Sequence, residues 1–346
     1  MARETPARLL QIPQTALTLT DIFPYHLPLK RPWVAAETIL TDRMGALVRL
    51  TDKEGRCGWG DCAPLPSGGQ ADAVLAALRA WSSHPSDMYF SALPPEARWA
   101  IETAQADLAA QQHGLPLWRH LGGTSGSIEI NAALGPLDDD LPERLAKACA
   151  QGFRIGKIKV GIGPVEEEIV RLKALPDGLR LRLDANRAWN DDDARRFLTA
   201  TADLPIDGLE EPLAHPEPSH LAALQAIVPY AIAIDESLPR LGSEVLIATQ
   251  AVRRFVIKPA RHGGISATLS LAHAARQAGI EVVLTSVVDS AIGVTAAAHL
   301  AAALGSDSVH GLGTSDWLAA DLASPPPVTN GVLQLSDRPG LGTAPV

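Results

Sequence analysis

The chain has 346 residues, 46% hydrophobic and 20% charged, which is enough apolar chain for a full core and excludes disorder as a whole. Its net charge is −9, from 30 Lys and Arg against 39 Asp and Glu, with no basic cluster, which disfavours a phosphate-tracking nucleic-acid surface. No run approaches the ~18–20 apolar residues of a membrane span, and MARETPARLLQIPQTALTL lacks the pattern of a secretory signal, so a cytoplasmic protein without membrane insertion is expected.

The length exceeds the ~250–300 residues at which single cores stop growing, so two unequal domains are expected. Segments around Thr15–Phe23 and Thr38–Leu50 alternate and carry β-branched residues, predicting strands. A Gly-rich stretch from Gly55 to Gly69, including CAPLPSGG, leads into a helical pattern over Ala71–Trp81. The CAPLPSGG segment reads either as a simple turn or as a loop that closes over a site. A second helix is predicted from Pro95, an acceptable first-turn residue, through Gln112 to a stop at Gly114.

From about Ser127 short apolar strands alternate with Ala- and Leu-rich helical stretches, the pattern of βαβ units and a parallel sheet. The predicted strands are Ile128–Leu134, Ile155–Val160, Leu179–Asp184, Asp207–Glu210, Ala231–Asp235, Arg254–Lys258, Glu281–Thr285 and Val309–Leu312. Their C-terminal residues Lys159, Asp184, Glu210, Asp235, Lys258, Ser286 and Gly311 are separated by 25, 26, 25, 23, 28 and 25 residues. So steady an interval, without a GxGxxG turn, favours a (β/α)8-type barrel over an open doubly wound sheet. The tail from Ser324, beginning SPPP, is predicted to leave the barrel and pack elsewhere.

The strand period of two puts Lys157 and Lys159 on one face of IGKIKVG and Ile158 and Val160 on the other. Likewise Arg180, Arg182 and Asp184 share one face of LRLRLDAN and Leu179, Leu181 and Leu183 the other. Parallel strands are ordinarily apolar on both faces, so charged residues facing inward need partners of opposite charge. Asp184, Glu210 and Asp235 end three successive strands and converge in a barrel, giving an oxygen-only set suited to Mg²⁺, with Mn²⁺ as a substitute. Adjacent residues face opposite ways, leaving Glu210 or Glu211, and Asp235 or Glu236, as alternatives. Lys258 falls across the barrel from Lys159. Lysines beside a divalent ion suit proton abstraction next to a carboxylate, with the metal stabilising the ene-diolate.

KIKVG, LRLDANRAWN, LEEP, IDES, VIKP and SVVDSAIG, in that order, resemble the muconate-lactonizing subgroup of the enolase superfamily. Within it GWGDCAPLPSGG, INAALG and HGLGTSDWLAADL are similar to the o-succinylbenzoate synthase family. The resemblance implies an α/β protein: a (β/α)7β TIM-type barrel at 123–315, an N-terminal α+β capping domain at 1–122, and a C-terminal segment at 316–346 returning to the capping domain. It implies a lyase acting in menaquinone biosynthesis on a small carboxylate substrate, 2-succinyl-6-hydroxy-2,4-cyclohexadiene-1-carboxylate. It also implies Mg²⁺ on Asp184, Glu210 and Asp235, with Lys159 as base, Lys258 facing it and Lys157 in electrostatic support. Arg182 and Asn186 would orient neighbours of the metal, and Ser286 with the backbone of Gly311 and Leu312 would hold the succinyl end. Asp61 stands where the family more often has Glu, and TSVVDSA replaces a more Ser-rich run.

Three alternatives accompany this reading: a racemase or epimerase of acylamino acids or dipeptides, a muconate-type cycloisomerase, and a non-catalytic barrel that binds metal and an anion. Dipeptide epimerases usually carry Asp-x-Asp near the last strand, where this chain has GLGTS. The three cysteines, Cys57, Cys62 and Cys149, lack zinc spacing and read as reduced thiols. The ten histidines show no HExxH and read as surface or core residues. The pattern is compatible with a monomer or a homo-oligomer.

Overall fold

The computed structural model describes residues 17–35, 38–66, 70–83, 90–176, 178–305 and 308–346. Part of the first predicted strand, at 15–16, and the end of the CAPLPSGG stretch, at 67–69, lie outside the described residues.

Strands β1 (Leu17–Ala35), β2 (Thr38–Asp52) and β3 (Cys57–Cys62) form an antiparallel sheet in that order. β1 is longer than its alternation predicts and contains Pro24, Pro28 and Pro32; it is an edge strand, where a missing N–H is tolerated. The helix Gln70–Ser83 contains the predicted 71–81 segment, and the next helix spans Pro95–Gln112 as expected. That second helix lies directly on β3. A Cβ at Gly58 or Gly60 would collide with the carbonyl oxygens of Ala104 and Ala100, so these glycines permit the close approach.

The barrel strands follow a short β4 (Ser127–Glu129): β5 (Ala132–Pro136), β6 (Ile155–Lys159), β7 (Arg180–Asp184), β8 (Ile206–Glu210), β9 (Ala231–Ile234), β10 (Arg254–Ile257) and β11 (Glu281–Leu284). They pair in parallel, in chain order, as one seven-stranded sheet. Helices separate them at Leu141–Ala150, Val165–Lys173, Asp191–Thr201, Pro218–Gln225, Ser243–Thr249 and Ile265–Gln277, and Ala291–Leu304 follows β11. The acidic run 191–193 opens the helix Asp191–Thr201, whose preceding Asn190 side chain accepts a hydrogen bond from Asp193 N, as expected of a helix start.

The predicted eighth strand is reduced to two bridges. His310 bridges Ile130 and Gly311 bridges Thr285, both parallel, and the Gly311 amide donates to Leu284 O at 2.8 Å. Hydrogen bonding thus runs from β11 through 310–311 back to 129–131, the residues leading into β5, completing a (β/α)7β ring. The predicted strand 128–134 is divided because its first residues pair elsewhere. Ile128 and Glu129 match Leu333 and Val332 of β13 (Val332–Gln334), which forms an antiparallel hairpin with β12 (Val328–Thr329).

The outward faces of the barrel are aliphatic and aromatic: Ile158, Leu183, Leu209, Ile232, Ile234, Phe255, Ile257 and Leu284 are fully buried in a core shared with the helices. The C-terminal segment touches both parts of the molecule. Ala319 N donates to Pro28 O at 2.8 Å, and Leu341 N donates to Asp107 Oδ1 at 2.8 Å. His299 joins this contact: its Nδ1 accepts from Trp118 N at 2.9 Å, so its Nε2 carries the proton facing Leu341 O at 3.2 Å.

Candidate active site

Register brings the charged strand ends together. Lys159 pairs with Asp184, and Asp184 with Glu210, across β6, β7 and β8. Asp235 and Lys258 lie one residue past the ends of β9 and β10. Four strand positions separate β6 from β10 in the sheet, so Lys159 and Lys258 face the cluster from opposite sides of the ring.

Lys157 Nζ is 2.9 Å from Asp184 Oδ2 and 2.7 Å from Glu210 Oε2, Lys159 Nζ is 2.7 Å from Asp184 Oδ2, and Lys258 is bound to Asp235. Asn186 accepts a hydrogen bond from Lys159 through its side chain, while its backbone N–H returns to Asp184 Oδ1 at 3.1 Å. Its φ of 44° is a conformation Asn tolerates better than most residues.

The electrostatics are uneven. Burial opposes ionisation of Asp184, but Lys157 and Lys159 outweigh it and hold the carboxyl well below its usual range. Asp235 is likewise lowered against burial, chiefly by Lys258 and Lys157. Glu210 goes the other way: burial, with Asp184 beside it, pushes it up to about 8. Burial disfavours the ammonium of Lys157, yet Asp184, Glu210 and Asp235 together raise its pKa. The same balance, with Asp235 as the largest opposing charge, raises Lys258.

Among the described residues no three His, Cys, Asp or Glu side chains are gathered closely enough to hold a metal ion as they stand. The carboxylates close on the lysine ammonium groups, because buried negative charge needs positive charge beside it. The donor set nevertheless fits a hard divalent cation: three carboxylates, oxygen only, at consecutive strand ends. Glu210 Oε1 is buried without a hydrogen-bond partner, and a cation beside it would offset the burial that opposes its ionisation.

Geometry separates the two acids of LEEP. Glu210 faces the lysines, whereas Glu211, at φ 47°, accepts 2.8 Å bonds from Asp235 N, Ser237 N and Ser237 Oγ. Glu211 therefore fixes the backbone that presents Asp235. Burial and nearby Glu236 push its carboxyl up to about 7. In IDES, Asp235 meets Lys258, while Glu236 lies 3.5 Å from Arg187.

Arg182 sits lower in the barrel, two residues before Asp184. Its guanidinium donates to Asp207 Oδ2 at 2.9 and 3.0 Å, to Val309 O at 2.9 Å and to Asn131 Oδ1 at 3.3 Å. Arg254 joins the same Asp207 oxygen at 2.8 Å and pairs with Glu281 at 2.7 Å. These bonds make Arg182 part of a charged barrel floor beneath the lysines. Ser286 Oγ lies 2.6 Å from Thr314 Oγ1, tying the loop after β11 to the segment after Gly311. The Gly311 carbonyl accepts from Thr285 Oγ1 at 2.8 Å, and Leu312 is buried. Asp207, Arg254 and Thr314 are not singled out by the sequence pattern, and Glu211 enters it only as the alternative to Glu210. Asp207 alone carried a local signal, as the acid preceding the LEEP strand end.

Comparison with known proteins agrees with this architecture. Residues 140–345 match the family "Enolase C-terminal domain-like", and residues 17–108 match "MenC, N-terminal domain". The chain is 32% identical to an o-succinylbenzoate synthase of Klebsiella pneumoniae, covering 90% of this chain and 95% of that protein. It is 30% identical to a hydrophobic dipeptide epimerase of Enterococcus faecalis, over 91% and 95% of the two chains. A crystal structure of the dipeptide epimerase from Enterococcus faecalis V583, complexed with Mg and the dipeptide L-Leu-L-Tyr, superposes with a TM-score of 0.85 at 26% identity, covering 95% of this chain and 99% of that one. With its barrel motifs, its parallel ring and these relatives, the chain belongs to the enolase superfamily.

Proposed function

We propose that this protein is an o-succinylbenzoate synthase, a Mg²⁺-dependent lyase that removes water from 2-succinyl-6-hydroxy-2,4-cyclohexadiene-1-carboxylate to give 2-succinylbenzoate for menaquinone biosynthesis. The observation that carries this reading is the flanking of three strand-end carboxylates by Lys159 on one side and Lys258 on the other. The match of the N-terminal domain to the MenC family over residues 17–108 favours the dehydration over other reactions of the superfamily.

In this reading Asp184, Glu210 and Asp235 would hold the metal, which would supply positive charge for the substrate carboxylate. Lys159, once neutral, takes the proton on the carbon bearing the carboxylate. The ammonium of Lys258 faces the ring and stabilises the negative charge that develops. Lys159 then returns its proton to the departing hydroxyl on the same face, so that H⁺ and OH⁻ leave as water and the ring becomes aromatic. Lys157, bonded to Asp184 and Glu210, keeps positive charge beneath the base. Asn186 orients Lys159.

A second reading, racemisation of an N-acylamino acid, is favoured by the same two opposed lysines, each able to serve one face of a carbon acid, and by the epimerase relatives. Incubation of the Mg²⁺-loaded protein with the cyclohexadiene and, separately, with an N-succinylamino acid tests both. Formation of 2-succinylbenzoate supports the dehydratase. Racemisation alone supports the isomerase, and substrate-induced thermal stabilisation without any product supports a binding protein.

A further inference from the structure

Arg43 belongs to β2 of the N-terminal domain, yet its side chain ends among the loops at the C-terminal end of the barrel. It is 1% exposed. Its Nε donates to Val288 O at 3.1 Å, Nη1 to Pro64 O at 3.0 Å, and Nη2 to Ala63 O. A second grip closes on the same loop: Asp61, at the end of β3, accepts from Ser290 N at 3.1 Å, Ser290 Oγ at 2.7 Å and Tyr25 Oη at 2.7 Å.

Between these grips Val288 has φ 61°, a conformation a β-branched residue keeps only when its surroundings hold it there. Asp289 is buried, lies 4.0 Å from Arg43, and has an Oδ1 without a hydrogen-bond partner. The loop leaves β11 beside Lys258. Leu284 pairs with Ile257, the Thr285 amide donates to Ile257 O at 3.0 Å, and Asp289 is close enough to interact electrostatically with Lys258.

We propose that Arg43 is a positioning residue for Lys258, acting from the other domain by clasping the 286–290 loop beside it. The proposal rests on the reading of Lys258 as a catalytic group. A planar fork with donors at three nitrogens can hold the carbonyls of Val288, Pro64 and Ala63 at once; a lysine in its place keeps the charge but not this geometry.

The test uses the full chain and Arg43→Lys, with trace labelling of amines by acetic anhydride and peptide mass spectrometry. The ratio of Lys258 to Lys159 labelling is expected to change about threefold or more, while the ratio of Lys157 to Lys159 stays constant. In the same variant kcat falls about tenfold with KM for the cyclohexadiene nearly unchanged, as for a misplaced group that acts in the transition state. An unchanged Lys258 ratio, or an equal rise at all three lysines, overturns the proposal. If Arg43→Lys does not fold, Asp61→Asn loosens the same loop from its Ser290 end and is held to the same labelling criterion. A wild-type protein without turnover rejects the proposed reaction, and the labelling ratios still decide the role of Arg43.

Discussion

Lys157 Nζ stands 2.7 Å from Glu210 Oε2, and the same ammonium group reaches Asp184 on the neighbouring strand at 2.9 Å. One lysine thus joins two acids whose electrostatic situations differ: Asp184 is stabilised as an anion, whereas Glu210 is pushed up to about 8 by burial and by Asp184. Asp184→Asn is therefore expected to destabilise the metal-free protein by about 3–5 kcal/mol, the cost of breaking a buried ion pair. Glu210→Gln removes a carboxylate the fold does not favour, and its effect is expected to stay within about 1 kcal/mol. Urea unfolding of both variants at pH 7 in chelator checks this. Isothermal titration with Mg²⁺ should show both losing affinity by more than about 100-fold, beyond the loss expected from an outer-sphere partner.

Glu211 is predicted to act on the proposed metal site through the backbone. Glu211→Ala removes the acceptor of Asp235 N, Ser237 N and Ser237 Oγ, leaving buried donors unpaired at a cost of about 1–3 kcal/mol each. Glu211→Gln keeps an oxygen for the two amides. Mg²⁺ titration should therefore show weak binding in the alanine variant and near-normal binding in the glutamine variant.

Arg182 is predicted to matter for stability more than for substrate affinity. Arg182→Met leaves Asp207 with Arg254 at 2.8 Å but removes the bonds to Val309 O and Asn131, and a buried charge network broken in this way costs about 3–5 kcal/mol. The urea midpoint should fall, while KM measured on the folded fraction stays within about twofold of wild type. A large rise in KM would place Arg182 at the substrate.

Two buried histidines give the fold an acid sensitivity whose sign follows from their pKa values. Burial lowers His299 to about 4 and, helped by Arg182, His310 to about 3. The unfolded chain takes up protons near pH 6.5 while the native chain does not, so this contribution is full above pH 6.5 and is lost as pH falls toward 4, at about 1.4 kcal/mol per pH unit for each histidine. Asp107, raised by burial to about 6, works in the opposite direction over part of that range. The comparison is therefore between wild type and His299→Gln: the variant's stability should decline less steeply from pH 6.5 to 5.

Much of the fold is legible in the sequence because its signals are local. Pro95 and Gly114 bracket the helix Pro95–Gln112, and the near-constant spacing of strand ends marks the barrel. Lys157 and Lys159 at a spacing of two, and acids at three successive strand ends, bring the proposed site into view. What is not legible depends on distant partners. The segment 128–134 divides because β13, about two hundred residues later, takes Ile128 and Glu129. Asp207 reaches the barrel floor because the β7–β8 register shifts between Leu181 and Arg182, which strict alternation does not foresee. Arg43 looks like an ordinary strand residue, and Asp61 stands out only against the family resemblance, until the other domain's loop is placed against them.

The most direct test of the central claim is the rate of loss of cyclohexadiene absorbance with Mg²⁺-loaded wild-type protein and with Lys159→Ala. The account predicts turnover by the wild type and a fall in kcat of about 10²–10⁴-fold or more in the variant, the range expected for loss of a general base, with Mg²⁺ still bound. Dehydration that persists in Lys159→Ala, or its absence in folded, metal-loaded wild type, would contradict it.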